Sequence, residues 1–329
     1  MSANLVTANL SCQICKSAGI RPAYALSEFV VATCTRCGHG TTVYRREPGD
    51  SQARFLGARW TETREILESV TSAMAALRYQ DLRRFDPGLD IVEVGCGTGE
   101  FLMAAQKAGH RVVGLDLSDE AVTYVKRRHP DIDVRCATLD SDDLHPESFD
   151  VVAAFHVVEH VPDPVDLLRQ MTRLLRPGGL LYVRVPNLNA WYRRVLGRNW
   201  WSFGVEHAAH FTDMSLGLAL GEAGLDVVVV RSGDSDREHS MWPILPLMLR
   251  RGALLRLLGD ALQPSMPEGY SGSVRIPPGP RLAVKKRLIA GYMGYRRSAT
   301  TMLGPLTRLQ LERGGGPELV ALGRKPENG

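Results

Sequence analysis

Three sets of residues in this 329-residue chain have types and spacings that can do chemistry. The first is the run Leu89 to Val94, which ends in Gly95, Gly97 and Gly99. An apolar run of this length bounded by glycine reads as a buried parallel strand. The glycines let the backbone turn sharply and approach a ligand with no Cβ in the way. The amphipathic stretch Glu100 to Gly109 follows, so a helix N-terminus lends its free N–H groups to the loop. This describes a nucleotide-type site. A dinucleotide fingerprint would need glycine where Glu100 stands, and a phosphate loop would need Lys followed by Ser or Thr. Glu93, at the strand end, repels phosphates and attracts a cation such as an ammonium or a sulfonium. Asp116 closes the next apolar stretch, Arg111 to Asp116, where nucleotide folds place an acid for the ribose hydroxyls. A nucleoside with a positively charged tail and no phosphate meets these demands, and S-adenosylmethionine is such a molecule.

The second set is Cys12-x-x-Cys15 and Cys34-x-x-Cys37. Two matched C-x-x-C pairs at this separation have the spacing of a four-cysteine zinc site. Four thiolates would fill a tetrahedral Zn²⁺ and leave no open position, so the metal is structural and contributes to folding. A redox pair and disulfides are the rival readings. His39 is a potential substitute ligand. Val30-Val31-Ala32 reads as a hairpin strand between the pairs. Cys96 and Cys136 read as small buried residues near the glycine loop.

Glu93-Val-Gly-Cys-Gly-Thr-Gly99, Gly114-Leu-Asp116, Phe149-Asp-Val-Val and Leu175-Arg-Pro-Gly-Gly179 together resemble the ordered motifs of class I S-adenosylmethionine-dependent methyltransferases. The resemblance runs from about Thr61 to Val230. It implies that Thr138 and Leu139, after the third strand (Asp131 to Cys136), border the adenine. Leu117 and Phe155 complete the expected cofactor set with Glu93, Gly95, Gly97, Gly99 and Asp116. Four zinc-type cysteines ahead of such a core also resemble bacterial deoxysugar C-methyltransferases, but those carry a larger C-terminal domain. The family's N/D-P-P-Y/F string is missing, which counts against methylation of base amino groups.

The third set is histidine-rich. His156-Val-Val-Glu159-His160 matches H-x-x-E-H, a zinc-protease string. That string needs a helix to bring both histidines to one face. Here it sits on the end of the strand Phe149 to Phe155, with Pro162 and Pro164 close behind, so a metal role is rejected. Ligands of open α/β sheets bind beyond the carboxyl ends of the strands, which puts His156, Glu159 and His160 beside the reacting centre or one turn away from it, with a purely structural Glu159–His160 pair as the alternative to a catalytic one. Further on come Trp191, Tyr192, Trp200, Trp201 and Phe203, then Glu206-His207-Ala-Ala-His210-Phe211. The resemblance implies that this loop closes over the acceptor. His207, His210 or His156 is then the base that deprotonates it, with Glu159 its acidic neighbour.

The remaining elements must position these groups. Thr41 to Trp60 is polar, contains Pro48-Gly49-Asp50, and reads as a linker. Thr61 to Phe85 has helical periodicity. Helices follow at Phe101 to Ala108, from Ser118 to about Arg128, at Asp166 to Leu175 and from Thr212 to Gly224. Arg176-Pro-Gly-Gly179 ends the third of these. Leu180 to Val185 and Leu225 to Val230 are the fifth and sixth strands, and Pro317 to Arg324 is the last, antiparallel one. The fold class is therefore α/β: a Rossmann-like seven-stranded mixed sheet with a small N-terminal zinc ribbon and a C-terminal helical insertion. The expected domains are 1–45 (ribbon), 46–240 (methyltransferase core), 241–314 (insertion) and 315–329 (last strand and tail).

The net charge of +4 is mild, and by itself does not argue for nucleic acid. No apolar run reaches the 18 residues of a membrane span, and Met1 to Leu10 lacks the pattern of a secretory signal. The expected setting is the cytoplasm, where cysteines stay reduced. The insertion is basic, which suits an anionic acceptor, peripheral contact with an acidic membrane surface, or a dimer arm of a homo-oligomer. The reading is a methyltransferase acting on a hydroxyl or activated carbon of a secondary metabolite, sugar or isoprenoid. An RNA methyltransferase and a non-catalytic cofactor-binding protein are the alternatives.

Overall fold

The computed structural model describes residues 10–45, 78–80, 82, 88–141, 144–200, 202–233 and 313–327. All of these belong to one compact unit, Met1–Ser235 with Leu311–Gly329. Most of the helix expected at Thr61 to Phe85 lies outside the described residues, although 78–80 are helical and Leu82 is fully buried. Trp201 and the insertion at 241–314, apart from its last two residues, lie outside them as well.

Seven strands make the large sheet. They are β4 (Asp90–Val94), β5 (Arg111–Asp116), β6 (Asp133–Cys136), β7 (Phe149–Phe155), β8 (Leu175–Pro186), β10 (Asp226–Gly233) and β11 (Glu318–Arg324). Their spatial order is β10-β11-β8-β7-β4-β5-β6. β11 runs antiparallel to both neighbours, and the pairs from β8 to β6 are parallel. This is the expected mixed sheet with an antiparallel last strand. Parallel strands covered by helices on both faces are apolar along their whole length. Ile91, Val92, Val151, Val152, Leu181 and Val183 are accordingly at most 1% exposed.

The chain order reverses between β4 and β7. That switch point is where open α/β sheets place their ligands. Four helices sit between the strands: α1 (Glu100–Lys107), α2 (Asp119–Arg128), α3 (Pro164–Leu174) and, later, α5 (Asp213–Glu222). Their starts are encoded locally. Ser118 accepts from the Ala121 N–H, and Asp163 accepts from the Asp166 N–H with Pro164 in the first turn. Thr212 and Ser215 form a reciprocal cap. Such caps satisfy N–H groups that a helix cannot bond internally.

Two local expectations need correction. Arg176-Pro-Gly-Gly179 does not form a separate turn but the bulged start of β8, the register shifting between Phe149 and Val151. Arg176 holds it there by pairing at 2.8 Å with both Asp90 of β4 and Asp150 of β7. Thr41 to Tyr44 is not linker but the greater part of β3 (Gly40–Tyr44). Thr-Thr-Val-Tyr is β-prone, and β2 offers it an edge.

β1 (Ile20–Ala25), β2 (Phe29–Cys34), β3 and β9 (Ala209–His210) form a second, antiparallel sheet. β9 comes from the loop after β8, so this loop completes the cysteine-bearing sheet. Cys12, Ile14, Cys34 and Cys37 share one apolar cluster with Val92, Val183 and Phe211.

Candidate functional site

At the β4–β5 edge the glycine loop has the shape its composition requires. Gly95, Gly97 and Gly99 have φ of +70°, +54° and +76°, a left-handed conformation that side chains disfavour. A Cβ on Gly95 would also lie 2.5 Å from Val157 Cγ2. Gly95 N–H and Cys96 N–H both donate to the Leu115 carbonyl, at 2.8 and 3.0 Å. Asp116 accepts from the N–H groups of Gly97 and Ser118, each at 2.8 Å. The acid is thus fixed across the mouth of the loop. Glu93 is 3% exposed at the end of β4.

Leu117 is 55% exposed beside Asp116, whereas Phe155 is buried at the end of β7. Thr138 is exposed. Leu139 turns its side chain into the core and gives its carbonyl to Arg173 at 2.9 Å. Cys96 is buried as expected, but Cys136 is exposed, its Sγ 3.7 Å from the Leu117 carbonyl. A four-residue edge strand gives its last side chain no covering layer.

A row of charges crosses the strand ends of β7, β8 and β11. His156 follows β7 with a φ of +58°. Its Nδ1 lies 3.1 Å from Glu159 Oε1 and its Nε2 lies 2.9 Å from Glu318 Oε1. Glu318 also lies 3.6 Å from Arg184, itself only 3% exposed. Burial opposes a charged His156, but Glu318 and Glu159 outweigh it and raise its pKa to about 9. Burial likewise opposes the Glu318 anion, and His156, Arg184 and Arg78 hold its pKa down at about 2. The Arg78 guanidinium stands 4.6 Å above the Phe155 ring. Sequence reasoning missed Arg78, Arg184 and Glu318. For Arg184 and Glu318 the available signal was a charge inside an otherwise apolar strand, which persists in a core only when paired; Arg78, in a helical turn, carried no such signal.

Glu159 and His160 lie in a 3₁₀ turn, Val158–His160. The turn brings them against the loop that leaves α4 (Trp191–Leu196). His160 Nδ1 is 3.1 Å from the Glu206 carbonyl, and His207 Nδ1 is 2.8 Å from the Ser202 carbonyl. The two rings meet edge to face at 4.8 Å. One potential ligand atom from each of Glu159, His160 and His207 falls within 4.8 Å of the others. His210 is set apart. It is 3% exposed, its Nε2 lies 3.0 Å from Thr42 Oγ1, and Phe203 packs on it at 5.4 Å. Burial keeps its pKa well below the usual value. Trp200 and Phe203 are buried, with rings 5.0 Å apart. Of the three candidate bases, His207 joins Glu159, His156 is clamped between two carboxylates, and His210 faces the small sheet.

The four N-terminal cysteines converge. Cys12 Sγ is 3.5 Å from Cys37 Sγ, Cys15 Sγ is 3.5 Å from Cys34 Sγ, and all four lie within 4.8 Å of one another. A tetrahedron with Zn–S bonds of about 2.3 Å has edges of roughly 3.8 Å, so the donor set fits zinc. None of the four is in a disulfide. His39 is not a member. It is fully buried beside Phe211, with ring centroids 5.1 Å apart, and burial lowers its pKa to about 3.

Residues 63–230 match a protein family described as "Methyltransferase domain". The chain is 33% identical over 168 residues to a probable S-adenosylmethionine-dependent methyltransferase of Mycolicibacterium smegmatis, covering 48% of this chain and 65% of that protein. It is 36% identical over 122 residues to a ubiquinone biosynthesis O-methyltransferase of a Bradyrhizobium strain, covering 36% of this chain and 44% of that one. It therefore spans less than two thirds of either relative. A crystal structure of an S-adenosylmethionine-dependent methyltransferase from Mesorhizobium loti overlays with a TM-score of 0.45 at 20% identity, over 77% of this chain and 98% of that one. Among the described residues, no helix is long and apolar enough to cross a membrane.

Proposed function

This chain belongs to the methyltransferase domain family matched over residues 63–230, and on that premise we propose that it methylates a hydroxyl or an activated carbon of a small organic acceptor with S-adenosylmethionine. The observation that carries the reading is Asp116, pinned by two backbone N–H groups across a loop of three left-handed glycines. Asp116 would hold the ribose, Gly95 and Gly97 would admit the cofactor backbone-close, and Glu93 would favour its cationic end. When bound, the cofactor supplies a sulfonium methyl group open to displacement by a nucleophile. The protein's own part is positioning and proton handling. Phe155 and Arg78 cover the end of β7, and the cluster of Glu159, His160 and His207 receives the acceptor. A relative named as an O-methyltransferase of ubiquinone biosynthesis supports a small hydroxylated acceptor. Zinc at Cys12, Cys15, Cys34 and Cys37 is structural in this reading, since four thiolates leave it no open position.

Calorimetric titration with S-adenosylhomocysteine tests the cofactor site. Binding is expected in the wild type and lost in Asp116→Ala, with the fold retained by circular dichroism. Undiminished affinity in the variant would remove the basis of the assignment. Methyl transfer from labelled cofactor to phenolic and quinol acceptors, with RNA and no-acceptor controls, tests the substrate class. Label found only in RNA, or on nothing, would favour the other two readings.

A further inference from the structure

We propose that Glu159, His160 and His207 form a binding site for a divalent first-row transition-metal cation, to which an oxygen of the acceptor adds as a further ligand. The argument starts from tautomers. A carbonyl oxygen only accepts, so its bond to the Nδ1 of His160 or of His207 fixes the proton on that nitrogen. Each neutral ring then carries its lone pair on Nε2. Metal-binding imidazoles are ordinarily oriented this way, by a carbonyl or carboxylate on the nitrogen that does not ligate.

The third donor is Glu159, 1% exposed. Its Oε1 is bonded to His156, while its Oε2 is buried and has no hydrogen-bond partner among the described residues. A buried carboxylate oxygen left unmatched is costly. Ligand atoms of all three side chains lie within 4.8 Å of one another. A carboxylate and two imidazoles gathered this closely are donors that a single cation can join. Bonds of about 2.0–2.2 Å to such an ion call for small side-chain rotations that draw the three together.

Two imidazoles and one carboxylate suit zinc, iron or cobalt and leave coordination positions open. This separates the site from the closed four-thiolate cluster. The cluster of Glu159, His160 and His207 adjoins the end of β7, because Glu159 shares His156 with that strand end and Val157 lies against Gly95. A cation there would lower the pKa of a ligated hydroxyl. The ion's role in activating the acceptor rests on the methyltransferase reading; its binding does not.

The H-x-x-E-H string contributes only half of this site. His156 serves as the partner that orients Glu159, and the second imidazole comes from 47 residues further along, at His207.

Cobalt(II) is the probe. Added to full-length protein whose cysteine cluster is already filled with zinc, it is expected to bind one equivalent. The visible d–d bands should lack thiolate charge transfer in the near ultraviolet. Glu159→Gln, close in size, and His207→Gln remove ligands and are each expected to weaken cobalt binding by at least about 100-fold, since disturbing even an outer partner of a ligand costs about 10–100-fold. Thermal melts establish that each variant is folded, and if His207→Gln is not, Glu159→Gln carries the comparison. Absence of the extra equivalent, cobalt appearing only with thiolate bands, or unchanged affinity in Glu159→Gln would each overturn the site. Titration of the same samples with S-adenosylhomocysteine separates the two claims. Cofactor product bound without cobalt defeats the metal site alone, whereas cobalt bound without cofactor product defeats the methyltransferase reading alone.

Discussion

His156 concentrates the local physics of the site. Its left-handed backbone costs about 1–2 kcal/mol in most residues, and its ring is held by Glu159 and Glu318. Because the folded pKa of about 9 lies above the ordinary 6.5, the pairing stabilises the fold fully below pH 6.5. That contribution is lost as pH rises from 6.5 through 9. His156→Asn is the informative variant, since asparagine tolerates the left-handed region but does not titrate. Wild-type stability in urea should fall between pH 7 and 9.5 more steeply than that of the variant; parallel slopes would mean the ring is neutral in the folded protein. Gly95 makes a second prediction at this scale. Alanine there meets both a φ of +70° and Val157 at 2.5 Å, so Gly95→Ala should cost at least ~1 kcal/mol and abolish S-adenosylhomocysteine binding measured by calorimetry.

At the scale of elements, the short strand β9 joins two sites that lie far apart in sequence. Gly40 pairs with His210 and Thr41 with Ala209. Thr42 Oγ1 donates to the His207 carbonyl at 2.6 Å and therefore accepts from His210 Nε2 at 3.0 Å. Thr42→Val removes both bonds from a buried position. It should cost about 1–3 kcal/mol in chemical denaturation and displace His207, reducing methyl transfer more than cofactor binding. An equal loss in both would mean that β9 supports only the fold. This link was invisible in the sequence, because a two-residue strand has no periodicity to detect. The long strands were legible because burial on both faces writes continuous apolar runs. The helix starts at Ser118 and Thr212 were legible because side-chain oxygens bond their own helix, whereas the start at Asp163 was placed at Asp166 instead. Glycine spacing likewise announced a loop of left-handed residues after β4. The sequence could not show that His156 would meet Glu318, 162 residues away, or that His207 would face Glu159. Such meetings depend on strand order, and the antiparallel insertion of β11 beside β8 puts Glu318 next to the β7 end.

At the scale of the molecule, the cysteine cluster bears on the stability of the whole described unit. As an independent ribbon, residues 1–45 would melt before the core when stripped of metal. The packing argues otherwise. Cys12, Cys34 and Cys37 lie in the same apolar cluster as Val92 and Val183 of the large sheet. The Thr212 hydroxyl donates to the Cys37 carbonyl at 2.9 Å, and Thr212 also caps α5. Removing the zinc proposed at the cysteine cluster would leave the thiols facing one another, and its lost binding energy would be lost folding energy. That loss should reach β8 through the shared core. Hydrogen exchange read by mass spectrometry after chelation should therefore rise together in peptides covering β2–β3 and β8. S-adenosylhomocysteine at about 100 times its dissociation constant adds about 2.7 kcal/mol to the folded state. It should slow exchange in both peptides, although it is expected to touch only the large sheet. Rapid exchange in β2–β3 with β8 unchanged would show two separately stable bodies, and would leave β9 as a contact without energetic consequence.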